Sequence, residues 1–169
     1  MLPAGITDEQ YDHLFAVRRS VRYHSRRQAY FTRAHHVATV INFVAGSAAV
    51  VAALQETDPI VLAIIAATVS AVSAVDMITG NAEKAWMHGD LKKRFINLES
   101  EQLQIDTGTN ASLSDLACKR LQIEADEPPV HRALDIMCHN ELARAMGFED
   151  KDMEKLGWFK RFTAHWFLW

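Results

Sequence analysis

Two long runs of apolar residues, separated by a short polar turn, dominate the middle of the chain. The first runs from Val37 to Leu54, and the second from Ile60 to about Gly80 with Asp76 as its only charge. The turn between them reads QETDP, and Pro59 suits the first position of a following helix. Each run is long enough to cross a bilayer with some tilt or local thinning. We call them the first and second apolar segments.

Helical spacing continues on both sides of these segments, and no run alternates with the period of a strand. Thr7 and Gln10 form a predicted capping box at the start of the first helix. Ser112 is the predicted cap of a later short helix. Pro129 is predicted in the first turn of the helix after that, and Gly147 at the end of the same helix. We therefore predict an all-α chain with these parts: a basic amphipathic helix over 8–36, membrane helices over 37–54 and 60–80, a cytosolic helical extension over 81–106, two short helices over 112–147, and an interfacial aromatic-basic tail over 157–169.

Charge placement favours a membrane hairpin. Lys and Arg are absent from the turn, dense before the first segment, and present again after the second. This is the pattern of a hairpin with both ends in the cytoplasm, and we expect the bacterial inner membrane as its location. The competing interpretation is that the segments form the core of a soluble helical bundle, since alanine contributes little hydrophobicity.

Small and polar residues recur within the segments at helical spacing. Small side chains let helices approach closely in lipid, which predicts a homo-oligomer with packing positions at Ala45, Gly46, Ala49, Ala63 and Ala66. The candidates for a pore lining or for polar contacts in the hairpin are Asn42, Ser47, Ser70, Ser73 and Asp76.

Asp76 is the most informative of these residues, because an ionisable group at membrane depth is expensive. It is a candidate to line a pore, to pair with an arginine of the first helix, or to act as a pH-sensitive gate. The plainer alternative is an aspartate at the interface, in contact with headgroup water. The adjacent His35 and His36 point to different sides of a helix and are interpreted as interfacial residues that form no site.

Basic and aromatic residues flank the segments. Contact with lipid headgroups or with other subunits is favoured over nucleic-acid binding, because the arginines have helical spacing directly before an apolar segment. The residues expected to make such contacts are Arg18, Arg19, Arg22, Arg26, Arg27, Arg33, Trp158, Lys160, Arg161, Trp166 and Trp169.

Catalytic chemistry is not indicated. The sequence has no nucleophile–base pairing, phosphate-binding loop or metal quartet, so we expect neither an enzyme nor a cofactor. His131, Asp135 and His139 are spaced i, i+4, i+8 with Cys138 beside them. The first and last are two helical turns apart, which is too far to share one metal, and we predict no metal site.

The order of these features resembles the SLATT family, two-transmembrane effector domains of bacterial conflict systems. The resemblance is carried by the Arg-rich helix, the hairpin, the motif W…LKKRF..LE from Trp86 to Glu99, and the later HNELARAMG. It covers residues from about 10 to 105. It implies an oligomeric membrane protein that permeabilises membranes in a bacterial or prophage defence system. Since the usual nucleotide sensor or synthetase is not fused here, the expectation is either a trigger from a separate sensor or activator protein or no trigger at all.

Three functional hypotheses follow. The first is an oligomeric, pore-forming membrane effector. The second is a non-conducting, phage-encoded or accessory membrane scaffold that binds partners through its helices outside the bilayer. The third is a soluble helical-bundle interaction module.

Overall fold

The computed structural model describes residues 7–55, 58–104, 110–149 and 153–166, and these residues are mostly helical with no strand among them. The all-α prediction is therefore confirmed. The helices are α1 (Asp8–Leu54), α2 (Pro59–Thr79), α3 (Asn81–Gln104), α4 (Asn110–Glu124), α5 (Arg132–Ala145) and α6 (Trp158–Phe162).

Several helix ends follow the predicted local chemistry. Thr7 and Gln10 form a reciprocal capping box, in which the Thr7 backbone N–H donates to Gln10 Oε1 at 3.1 Å and the Gln10 N–H donates to Thr7 Oγ1 at 3.3 Å. Asp58 caps α2 by accepting from the Ile60 N–H at 2.8 Å, with Pro59 at the first position. These caps fix where α1 and α2 begin.

α1 runs unbroken from the basic region through the first apolar segment, and Gly80, with φ of 60°, separates α2 from α3. Two later helix starts differ from the prediction. The predicted helix start at Pro129 is wrong, because α5 begins at Arg132. The backbone N–H of His131 instead donates to the Tyr23 hydroxyl at 3.0 Å, which holds the Pro-containing segment outside the helix. The described part of α4 begins at Asn110, before the predicted cap at Ser112.

The chain divides into two compact units. Unit 1 comprises Met1–Arg27 and His88–Trp169, and it contains the apolar core. Leu14 and Phe95 are fully buried, as the helical spacing of α1 and α3 predicts. The same helical spacing predicts Ile105 on the face that carries Phe95, but Ile105 lies outside the described residues. A second cluster in unit 1 is formed by Tyr23, Ala133, Leu134, Cys138 and Ala164.

Unit 2 comprises Gln28–Met87 and contains both apolar segments. Its composition is apolar, but α2 contains no buried residue. The chain therefore places its hydrophobic core in unit 1 and leaves its most hydrophobic residues exposed in unit 2.

Candidate functional site

The apolar segments expose large hydrophobic side chains over most of their length. The exposed fraction is 76% for Phe43, 81% for Leu54 and 81% for Ile78. The most apolar 18-residue stretches of the α1 and α2–α3 regions have mean hydropathies of 2.1 and 2.2, and 6% and 0% of their residues are buried. Both regions are long and apolar enough to cross a membrane, by length and composition alone.

One side of the first apolar segment is shielded within unit 2. Ala38 is buried, and Asn42, Ala45, Gly46 and Ala49 are half-buried. These positions recur every three or four residues, so they lie on one side of α1. They include the predicted packing positions of this segment.

In the second apolar segment, the half-buried side of the helix is not the side that carries the small residues. The half-buried positions are Leu62, Ile65, Val69, Val72 and Asp76. The small and polar residues predicted for packing or for a pore lie on an exposed flank of the same helix, at Ala63, Ala66, Ser70 and Ser73. We call this set the small-residue flank. Bulky side chains thus occupy the shielded side, and none of the described residues covers the flank.

Asp76 is the centre of a small polar cluster. One carboxylate oxygen lies 2.8 Å from Nδ1 of His35, and the other accepts from Nδ2 of Asn81 at 2.8 Å. The same Asn81 amide also donates to Thr79 Oγ1 at 2.8 Å. Of the roles considered for Asp76, pairing with an arginine does not occur, because its partner on α1 is a histidine. The sequence did not predict this contact of His35, and the interpretation that the His35–His36 pair forms no site stays a prediction.

The other polar candidates have separate surroundings. The Oδ1 atom of Asn42 is buried and has no hydrogen-bond partner among the described residues. Ser47 donates to the Phe43 carbonyl one turn earlier, at 2.8 Å. Ser70 and Ser73 are exposed on the small-residue flank. The structure therefore does not bring the five predicted polar residues together in one chain.

The arginine-rich part of α1 makes many contacts inside unit 1. Arg18 pairs with Glu99 at 2.7 Å, Arg19 with Asp135 at 3.2 Å, and Arg26 with Glu141 at 2.5 Å. Arg27 is 7% exposed and donates to the His165 carbonyl at 2.8 Å. Arg22 donates to the Arg18 carbonyl at 3.4 Å, and Arg33, in unit 2, is exposed. Most of this cluster thus serves the helical bundle, a use that the sequence pattern did not indicate.

A buried histidine pair is the main feature that sequence reasoning missed. Nδ1 of His24 lies 2.9 Å from Nδ1 of His88, and Nε2 of His24 lies 3.0 Å from a carboxylate oxygen of Glu127. Both histidines are 1% exposed, and the His24 ring stacks on Phe95 with a centroid distance of 5.5 Å. Burial, with the nearby positive groups, lowers the pKa of His88 to about 3. His88 is therefore neutral at ordinary pH.

The residues spaced i, i+4, i+8 near α5, and the cysteine beside them, make unrelated contacts in the structure. His131 precedes the helix, Asp135 pairs with Arg19, and the His139 ring meets the edge of Phe15 at 5.0 Å. Cys138 is fully buried, and burial raises its pKa to about 12. Within the described ranges, no three His, Cys, Asp or Glu residues are arranged to hold a metal ion.

The C-terminal aromatic-basic region is exposed on one side. Trp158 is 79% and Trp166 is 70% exposed, and Lys160 and Arg161 are exposed beside them. Thr163 and Ala164 anchor the other side in unit 1. Trp169 lies outside the described residues.

Comparison with family models, curated proteins and solved structures finds no match for this chain.

Proposed function

We propose that this chain is an integral membrane protein whose two apolar segments form a bilayer-spanning hairpin, with copies assembling into a membrane-permeabilising homo-oligomer. The observation that carries the membrane location is the exposure of α2, which has a mean hydropathy typical of a spanning helix and no buried residue. Contact of such an apolar surface with lipid is favourable, whereas its contact with water is unfavourable.

The size of this exposed surface favours lipid over a soluble monomer. Large side chains that are more than 60% exposed include Ile60, Ile64, Val75, Met77 and Ile78. Removing one such side chain from water is worth about 1.5–3 kcal/mol. A monomer in water would forgo this stabilisation along the whole of α2, although folded proteins are stable by only about 5–15 kcal/mol.

Charge placement supports a hairpin with both ends on the cytoplasmic side. No Lys or Arg occurs between Arg33 and Lys84, and the two apolar segments lie between these residues. Lys84 Nζ lies over the Phe31 ring, 5.6 Å from its centroid. Arg33 and Lys84 are thus suited to anionic headgroups at the same end of the hairpin, and the inner membrane of a bacterium is the corresponding location.

Permeation requires several copies, because one pair of helices cannot enclose a water path. The small-residue flank supports such an assembly, since its alanines and serines allow close approach of a second helix. Ser70 and Ser73 lie on this flank and would come to the interface or the lumen of the assembly. The resemblance to SLATT effectors agrees with this role and adds a defence function triggered by a separate protein.

A non-conducting membrane scaffold is the second candidate. It is favoured by the hydroxyl groups of the apolar segments, which donate back to their own helices. Thr39, Ser47 and Thr68 each bond a carbonyl one turn earlier at 2.8–2.9 Å. Groups satisfied in this way do not require an aqueous lumen.

The first experiment is alkaline carbonate extraction of membranes after expression in bacteria. Retention in the pellet until detergent is added supports the spanning hairpin. Release as a soluble oligomer would mean that the apolar segments form the core between copies, and it would end the membrane proposal.

The second experiment measures dye leakage from liposomes that contain the purified protein. Ala66→Leu fills the small-residue flank, and Ala71→Leu adds the same volume on another exposed side of α2. We expect leakage from wild-type protein and from Ala71→Leu, with a loss in Ala66→Leu. Intact liposomes with a correctly inserted wild-type protein would favour the scaffold.

A further inference from the structure

A basic groove lies in unit 1 between α5 and the chain that follows it. It has a volume of about 530 Å³, within the range of small-ligand sites. Four cationic residues from α1, α5, the segment before α6, and α6 itself line it together with two acidic ones. The cationic residues are Arg26, Arg144, Lys155 and Arg161, and the acidic ones are Glu141 and Glu154.

The charges of this groove are only partly balanced. Arg26 is neutralised by Glu141 at 2.5 Å. The side chains of Lys155 and Arg161 make no hydrogen bond or ion pair among the residues that the structure describes. The groove therefore collects cations from separate elements without a matching number of carboxylates, which is favourable when an anion binds there.

The same groove also offers an accessible acceptor. Glu154 is exposed and lines the groove beside the cations. Its backbone carbonyl accepts from Nδ2 of Asn140 at 2.8 Å, which ties this segment to α5. A ligand that carries hydrogen-bond donors beside its anionic group would bond the Glu154 carboxylate and the cations together.

We propose that this groove binds a phosphate-bearing ligand with hydroxyl or amine donors next to the phosphate. The headgroup of an anionic phospholipid and a free glycerol phosphate share this chemistry. An adjoining groove shares Glu154, Lys155 and Leu156 and continues over Trp158 and Phe159. These exposed rings provide an apolar surface for acyl chains, so the lipid is the favoured source. Only the preference for a lipid headgroup over free glycerol phosphate rests on the membrane location proposed above.

The test uses the full-length protein in detergent micelles, with energy transfer from tryptophan to dansyl-labelled phosphatidylglycerol as the readout. Dansyl-labelled phosphatidylcholine measures the contribution of acyl chains alone. We expect tighter binding of phosphatidylglycerol, and weaker binding at high salt because the contacts are electrostatic. Equal binding of the two lipids would overturn the lipid source.

Arg161→Gln and Lys93→Gln form a matched pair, because each removes one exposed positive charge from unit 1. Arg161 lines the basic groove, whereas Lys93 lies on α3 and lines neither this groove nor the adjoining one. We expect Arg161→Gln to weaken phosphatidylglycerol binding about fivefold and Lys93→Gln to leave it unchanged. Far-UV circular dichroism confirms that both variants remain folded. Equal effects would mean diffuse attraction to the surface and would overturn the site.

Competition with glycerol 3-phosphate separates the two sources. Displacement of the labelled lipid by millimolar glycerol 3-phosphate, lost in Arg161→Gln, assigns recognition to the phosphate and its hydroxyl groups. Binding that resists this competitor but still falls in Arg161→Gln assigns the groove to an intact lipid. Because this assay requires no permeation and no bilayer, its result is independent of the leakage experiment.

Discussion

Acid should destabilise unit 1 through His88, and the structure sets the size of the effect. The ring of His88 is 1% exposed and bonded to His24, with Arg27, Tyr23, His131 and Glu127 around the pair. Burial and the neighbouring positive groups lower the pKa of His88 from 6.5 to about 3. The unfolded chain therefore binds a proton between pH 6.5 and 3 that the folded chain excludes.

The sign and the magnitude follow from this difference. Stability is fully present above pH 6.5 and falls as the pH drops towards 3, because the unfolded state takes up the proton first. One pKa unit corresponds to about 1.4 kcal/mol. His88 should therefore remove about 2 kcal/mol from the free energy of unfolding at pH 5, and about 4–5 kcal/mol near pH 3.

The assay is urea unfolding in detergent micelles at several pH values from 7 to 5, followed by tryptophan fluorescence. His88→Gln retains a hydrogen-bonding side chain beside His24 but cannot take up a proton. We expect a lower free energy of unfolding at pH 7 and a shallower dependence on pH, by up to about 1.4 kcal/mol per pH unit. His36→Gln, at an exposed position, is the control and should retain the wild-type slope.

His165 contributes in the same direction, since burial lowers its pKa to about 4, so some slope will remain in His88→Gln. A direct check is an NMR titration of the imidazole protons. A slope in His88→Gln equal to that of wild type, or a measured pKa of His88 near 6.5, would refute the argument.

Two further predictions concern single positions. Gly147 has φ of 91°, so Gly147→Ala should introduce a backbone strain of about 1 kcal/mol and lower the midpoint of thermal unfolding by a few degrees. Gly157→Ala is the matched control and should show no such loss, because Gly157 has φ of −60° and open space where a Cβ would lie. Cys118 is exposed, whereas Cys138 is buried with a pKa near 12, so maleimide should label Cys138→Ser at neutral pH and leave folded Cys118→Ser unlabelled. Rapid labelling of Cys118→Ser under native conditions would show that the core around α5 opens.

Local features of the fold were predictable because their causes are local. The capping box at Thr7, the turn before Pro59 and the stop at Gly147 each depend on a few neighbouring residues. The buried positions Leu14 and Phe95 follow from helical periodicity. The start of α5 was not predictable in this way, because a tertiary hydrogen bond from His131 to Tyr23 decides it.

Long-range polar partners were not predicted, since they depend on which helices lie side by side. A cluster of arginines before an apolar segment is typical of a lipid-facing helix. The carboxylates that pair with Arg18 and Arg26 lie far along the chain, in α3 and α5. One signal was nevertheless present in the sequence. His35 and Asp76 lie at nearly equal distances along the sequence from the QETD stretch at 55–58, and the same holds for His24 and His88.

The contacts of Asp76 constrain how a pore could use this residue. Both carboxylate oxygens are already bonded, to His35 on α1 and to Asn81 at the start of α3. Each oxygen can accept a further hydrogen bond, so lumen water could contact the carboxylate where it lies. Turning the carboxylate towards a lumen would break at least one of the present bonds and leave a half-buried His35 or Asn81 without this partner. If the assembled protein conducts with this cluster intact, the carboxylate serves to hold α1 and α2 together. Asp76→Asn, which retains hydrogen-bonding capacity, should then preserve leakage, and Asp76→Ala should reduce it together with assembly.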